Sequence, residues 1–138
     1  MFRHSTRIQY ADCTVGNHVY YGRYLDLLEA ARGELFRTVG EPLLKWQERG
    51  VIFPVFEARL RYREAARYDD VVVIELWLTR LRKAFLDFGC RIVKESGAVV
   101  LEAETRHVCT GLNERPRSLP PELLTALQPY LRKESAPA

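Results

Sequence analysis

The sequence predicts an α+β protein in which an antiparallel β-sheet wraps around one long central α-helix. Two observations carry this. One long segment has helical periodicity, and four later segments alternate with period two, each with one apolar face. Such segregated elements favour antiparallel pairing, because parallel strands need intervening crossovers.

Residues 2–10 (FRHSTRIQY) read as a first strand. The stretch Asp12-Cys13-Thr14-Val15-Gly16-Asn17-His18 reads as a sharp turn, since Gly16 and Asn17 tolerate positive φ. The long helix follows. Tyr21, Tyr24, Leu28, Ala31 and Leu35 recur at steps of three or four, and Leu27 and Phe36 widen the stripe. Arg23, Asp26, Arg32 and Glu34 fall largely away from it. Gly40 suits a C-terminal cap, and Pro42 suits the first turn of a short second helix, PLLKWQER, closed by Gly50.

From residue 51 the period becomes two. In FEARLRY, Phe56, Ala58, Leu60 and Tyr62 oppose Glu57, Arg59 and Arg61. Val72, Ile74, Leu76 and Leu78 form a wholly apolar face. So do Ala84, Leu86, Phe88, Cys90 and Ile92. Val99, Leu101, Ala103, Thr105, His107 and Cys109 share a fourth face. The tail LPPELLTALQPYLRK reads as a short helix, with residues 134–138 frayed.

At 138 residues the chain reads as a single domain over 1–138, large enough to fold without disulfide or metal staples. The hydrophobic fraction of 47% and charged fraction of 28% are globular values, which excludes disorder and fibrous repeats. No apolar run approaches the roughly 20 residues that span a bilayer. The N-terminus lacks the apolar core of a secretory signal. Cys13, Cys90 and Cys109 form no CxxC pair, which suggests reduced thiols and a cytoplasmic location. A net charge of +3 does not argue for a nucleic-acid partner. Locally, Arg59, Arg61 and Arg63 alternate, and Arg80, Arg82 and Lys83 cluster. Each group reads either as a solvated strand face or as a site for a phosphate-bearing ligand.

No phosphate-binding glycine loop, serine-hydrolase elbow or zinc-ligand spacing is present, so no metal is expected. Attention falls on the start of the long helix, near His18-Val19-Tyr20-Tyr21-Gly22. Free N–H groups and the positive dipole end there can polarise an oxyanion, and Gly22 permits close approach. Asp12 and His18 flank the loop and have the chemistry of a general base and acid. Equally, Asp12 can cap a turn and His18 can be a polar loop residue. His4 and His107 read as structural histidines.

Three motifs resemble the acyl-CoA thioesterases of the 4-hydroxybenzoyl-CoA thioesterase type, which have the hotdog fold. The first is Tyr10-Ala-Asp12-Cys-Thr14-Val-Gly16-Asn-His18-Val-Tyr20-Tyr21-Gly-Arg-Tyr24, similar to the family's loop leading into an aromatic-rich helix. The second is Arg67-Tyr68-Asp69-Asp70-Val71-Val72-Val73-Ile74, and the third Leu81-Arg82-Lys83-Ala84-Phe85. The spacing Glu29-Ala-Ala-Arg32 also fits. The resemblance implies hydrolysis of an acyl-CoA or acyl-carrier-protein thioester, with coenzyme A as part of the substrate and no cofactor. Backbone N–H groups near Tyr20 and Tyr21 are then expected to hold the carbonyl oxygen. Asp12, Thr14, Asn17 or His18 would position water, Tyr21 joins the catalytic group, and Tyr20 contacts substrate. Arg82 and Lys83 bind the coenzyme A phosphates.

One departure stands out. The family's catalytic carboxylate falls on Thr14, and Asp12 falls on its supporting aspartate. Members tied to polyketide pathways also lack the carboxylate, and His18 fits a histidine of fatty-acyl members. The departure leaves two other readings: a hotdog hydratase or dehydratase using Asp12 and His18, or a non-catalytic acyl-CoA-binding module. Family members build each site from two subunits, so the resemblance implies a homo-oligomer, a dimer or a dimer of dimers, and an inactive monomer.

Overall fold

The computed structural model describes residues 1–132, so the expected frayed tail lies outside the described residues. In chain order the elements are β1 (Phe2–Arg7), β2 (Cys13–Thr14), β3 (His18–Val19), α1 (Arg23–Val39), α2 (Leu43–Glu48), β4 (Val55–Tyr62), β5 (Val71–Arg82), β6 (Phe85–Lys94), β7 (Val99–Val108) and α3 (Pro121–Leu127). Five strands form one antiparallel sheet in the order β1-β5-β6-β7-β4, and β2 and β3 form a separate ribbon.

Period-two alternation determines which face of the sheet is buried. Val72, Ile74, Leu76, Leu78, Leu86 and Ile92 are fully buried on the inner face. The stripe of α1 (Tyr24, Leu28, Ala31, Leu35 and Phe36) is buried in the same core. Each large apolar side chain buried this way contributes roughly 1.5–3 kcal/mol, far more than helix propensity does.

The outer face is a charge ladder. The cross-strand register sets Arg3 opposite Glu75, Glu75 opposite Arg91, Arg91 opposite Glu102, and Glu102 opposite Arg61. Glu75 accepts from Arg3 Nε at 3.3 Å and Arg91 Nε at 2.7 Å. Arg59 and Arg63 pair with Glu57 and Glu102, which fits the solvated-face reading of that arginine run. At Gly89 the Trp77 ring lies so close that a Cβ would meet it at 2.3 Å. Cross-strand packing therefore requires glycine there.

Some boundaries differ from the sequence expectation. The first strand ends at Arg7, because Gln9 opens a 3-10 turn over Tyr10–Asp12. Gly40 closes α1 by donating to the Phe36 carbonyl at 3.1 Å, but in extended rather than left-handed backbone. The last helix stops at Leu127, and Pro129 falls in a following 3-10 turn. Arg32 was expected on the solvent side of α1. It is instead half-buried with its Nη1 out of solvent, because the helix packs against the sheet on a wider face than the apolar stripe alone defines.

His107 sits in the core, with Nδ1 3.1 Å from the Phe53 carbonyl and Nε2 3.0 Å from the Thr105 hydroxyl. Burial, reinforced by the Arg32 charge, lowers its pKa from 6.5 to about 4. Between those values the unfolded chain binds the proton that the folded chain refuses. Stability contributed by neutral His107 is therefore complete above about pH 6.5 and falls as pH drops toward 4. Urea unfolding at pH 7 and pH 4.5 should show an acid-side loss of roughly 2–3 kcal/mol. His107→Gln should flatten this loss, and an equal slope in both proteins would refute the assignment.

Candidate active site

The loop that leads into α1 is held from both ends. Asp12 is buried. Its Oδ2 accepts the Gln9 N–H at 2.8 Å, and its Oδ1 accepts Arg23 Nε at 2.7 Å. This ion pair raises the Arg23 pKa above its ordinary value, the Asp12 hydrogen bond being the largest cause. Both carboxylate oxygens are thus committed to closing the 3-10 turn and fixing the first residue of α1. Of the expected site residues, Asp12 is thus turned toward the protein framework, the geometry of a positioning group.

Beyond Asp12 the chain makes the β2–β3 ribbon, in which Thr14 and His18 are direct partners and both exposed. Gly16 (φ 86°) and Asn17 (φ 56°) make the reversal possible. The His18 ring lies over Gly16, where a Cβ would approach Cδ2 to 3.3 Å. A second segment clamps this ribbon. Arg67 Nη1 donates to the carbonyls of Gly16 and Asn17 at 3.3 and 3.2 Å, and Asn17 Oδ1 accepts the Tyr68 N–H at 3.2 Å. The Arg67-Tyr68-Asp69-Asp70 motif therefore acts as a buckle for the loop.

At the helix start, the Tyr20 N–H donates to the Asp12 carbonyl at 3.0 Å. It is not available to a ligand, which corrects the expectation for that donor. Among the described residues the N–H groups of Tyr21 and Gly22 have no partner. No side chain caps α1 at Gly22. The Tyr20 ring packs over Gly22, with Cε1 3.1 Å from where a Cβ would sit. Tyr20 and Tyr21 are exposed, with ring centroids 4.6 Å apart, and the Tyr62 hydroxyl donates to the Tyr21 carbonyl at 3.1 Å. Thr14, Asn17, His18, Tyr20 and Tyr21 thus gather at one end of α1.

Arg82 and Lys83 do not join them. They occupy the β5–β6 hairpin tip, where Lys83 has φ 54°. The ribbon clamp precedes the opposite end of the 12-residue β5, roughly 35 Å away along an extended strand.

The sequence reading missed a cleft of about 400 Å³ that runs along α1 from Leu25 to Phe36. Its other wall includes Phe53, Val55, Phe88, Thr105 and His107, and Glu29 and Arg32 face it from the helix. The Glu29–Arg32 spacing was the available signal, since residues three apart share a helix face.

Asp12→Ala should leave the buried Gln9 N–H unsatisfied and Arg23 without its partner. Loss of the buried hydrogen bond is expected to cost about 1–3 kcal/mol, read as a lowered melting temperature. Asp12→Asn should recover part of it. A melting temperature equal to that of the unmodified protein would show that the loop is held elsewhere.

A family model described as the thioesterase-like superfamily matches residues 8–127. The chain is 32% identical over 125 residues to the acyl-CoA thioester hydrolase YbgC of Escherichia coli, covering 90% of this chain and 93% of that protein. A Thermus thermophilus crystal structure superposes with a TM-score of 0.88 at 32% identity, covering 94% of this chain and 99% of that one. One from Aquifex aeolicus also superposes at 0.88, with 29% identity, covering 93% and 100%. A loop clamped ahead of an uncapped helix, an antiparallel five-stranded sheet and these matches over nearly the whole length agree: the chain belongs to the thioesterase-like superfamily.

Proposed function

We propose that the protein is a thioester hydrolase that converts an acyl-CoA, or an acyl group on an acyl-carrier protein, to free acid and thiol. The observation that carries this reading is the pair of open N–H groups at Tyr21 and Gly22. They lie at the positive end of a 17-residue helix, in a member of a thioesterase family. The thioester oxygen accepts both donors as negative charge develops on it. His18 takes a proton from water, which Thr14 helps to hold; the water oxygen attacks the carbonyl carbon. The C–S bond then breaks, and the proton passes to the leaving sulfur. Tyr21 contributes through its main chain, Tyr20 shields the helix end, and Asn17 and Asp12 keep the loop in place. Coenzyme A is substrate, and no cofactor takes part in this scheme.

The site is completed by a second copy in this reading. β4 has one sheet neighbour, β7, and its Val55, Phe56 and Tyr62 are about half exposed. An edge of this kind favours pairing with another strand. The Arg82–Lys83 tip lies too far from its own loop, and a partner's tip can supply the phosphate contacts. A single domain with its sheet curved around α1, working in the cytoplasm with free Cys13, Cys90 and Cys109, fits the same reading.

Thiol release from a panel of acyl-CoAs tests the proposal. Gly22 has φ −71°, which proline adopts, so Gly22→Pro removes one donor; because proline also restricts Tyr21, the variant is scored only with an unchanged far-ultraviolet spectrum and melting temperature. Its kcat/KM should fall roughly 100- to 1000-fold, whereas Gly22→Ala keeps the N–H and should fall far less. His18→Ala should lose about 100-fold or more. Equal rates for the proline and alanine variants would sink the oxyanion role. Tight acyl-CoA binding without release of thiol would instead establish a binding module.

Sedimentation should show a dimer or larger assembly. Phe56→Glu at the β4 edge, outside the cleft lining, should yield monomers that have lost activity. A fully active monomer would refute the shared site.

A further inference from the structure

Among the described residues, Arg32 is a charged side chain of the inner cleft whose Nη1 is buried without a hydrogen-bond partner. Buried side-chain polar atoms lacking a partner, among the described residues, are Arg32 Nη1, Trp46 Nε1 and Asp87 Oδ1. Of these three residues only Arg32 lines the cleft along α1. Its surroundings there are Phe36, Phe88, Thr105 and His107. Glu29 lines the same cleft and its charge acts on Arg32, but it makes no hydrogen bond to Arg32 among the described residues. The Thr105 hydroxyl meets His107 Nε2, and His107 Nδ1 meets the Phe53 carbonyl. Asp26, at the other end of the cleft, bonds Arg23 at 3.2 Å. Burial lowers the Arg32 pKa, as a desolvated cation requires. A guanidinium held in an apolar cleft without an acceptor costs free energy that an incoming oxygen recovers.

The cleft also has the right origin and direction. Its lining begins at Leu25, one turn from the Tyr21 and Gly22 N–H groups, and Arg32 lies about 15 Å along the helix from Gly22. An acyl group whose thioester sits at the helix start extends toward Arg32. We propose that the protein selects acyl groups carrying a hydrogen-bond-accepting oxygen, an oxo or carboxylate group distant from the thioester, and that Arg32 is the specificity-determining residue that receives it. This rests on the thioester-hydrolase reading.

The test compares kcat/KM for octanoyl-CoA, 7-oxo-octanoyl-CoA and the monothioester suberoyl-CoA, which share chain length. The intact protein should favour at least one oxygenated substrate over octanoyl-CoA about tenfold or more, the worth of one charge-assisted hydrogen bond. Preference for the oxo compound marks a neutral acceptor, and for suberoyl-CoA a carboxylate. Arg32→Met should bring the ratio near one, and Arg32→Lys should retain part of it. Arg32→Met should also melt about 3 °C or more higher, since a half-buried cation with an unpaired donor is replaced by an apolar chain. A ratio of one or less in the intact protein, or the same ratio in Arg32→Met, overturns the proposal. Absence of thiol release from all three substrates overturns the hydrolase reading alone. Calorimetric binding of the same thioesters then decides on Arg32: a tenfold preference lost in Arg32→Met upholds its role, and equal binding refutes it.

Discussion

The structure depends on a helix that begins without a cap. Serine, threonine or aspartate in capping geometry at Gly22 would accept the Tyr24 or Leu25 N–H and stabilise the helix by about 1 kcal/mol. A side chain there would also press on the Tyr20 ring, whose Cε1 lies 3.1 Å from where a Cβ would sit. The chain leaves Gly22 bare and stabilises α1 by other means. Tyr24, Leu28, Ala31, Leu35 and Phe36 bury their side chains in the core shared with the sheet. Asp12 then grips Arg23 from outside, so the loop reaches the helix at a fixed angle without a side chain over its end. The open donors at Tyr21 and Gly22 are tolerable because the rest of the helix is so well anchored.

Loop geometry follows from the same constraint. A two-residue ribbon has little stability of its own. The β2–β3 ribbon persists because Arg67 and the Tyr68 N–H hold its turn from another part of the chain. Two motifs far apart in sequence therefore form one mechanical unit. The first carries the candidate site residues Thr14, Asn17 and His18, and the second keeps the first from opening.

How much of this was legible in the sequence depends on the range of the interaction. Strand faces such as Val72-Ile74-Leu76-Leu78, and the α1 stripe, follow from periodicity, which is local. The place of the candidate site, at the helix start, follows from the turn residues Gly16 and Asn17 and from the family-like loop. The duty of Asp12 does not, because a carboxylate in a loop reads equally as base or as cap until Arg23 is found beside it. Likewise Arg32 falls off the apolar stripe, and only packing against Phe88 and Thr105 shows that the cleft extends to it. The remoteness of Arg82 from the loop also escapes a linear reading, since it depends on the length and direction of β5.

Charge placement separates the two sides of the sheet. On the outside, acids and bases alternate across strands, and Glu75 alone serves two arginines. On the inside, Glu29 stands three residues from Arg32 on the same helix face and acts on it by charge, yet it is exposed and forms no hydrogen bond with it among the described residues. A half-buried cation with an unpaired donor is costly, and unpaired polar groups of this kind concentrate where a ligand completes them. The outer ladder is self-sufficient, whereas the inner cleft holds a guanidinium two turns beyond Leu25, itself one turn from the open amides of Tyr21 and Gly22. In the proposed reading these two sets of donors answer to the two ends of one substrate, a thioester and a distant oxygen.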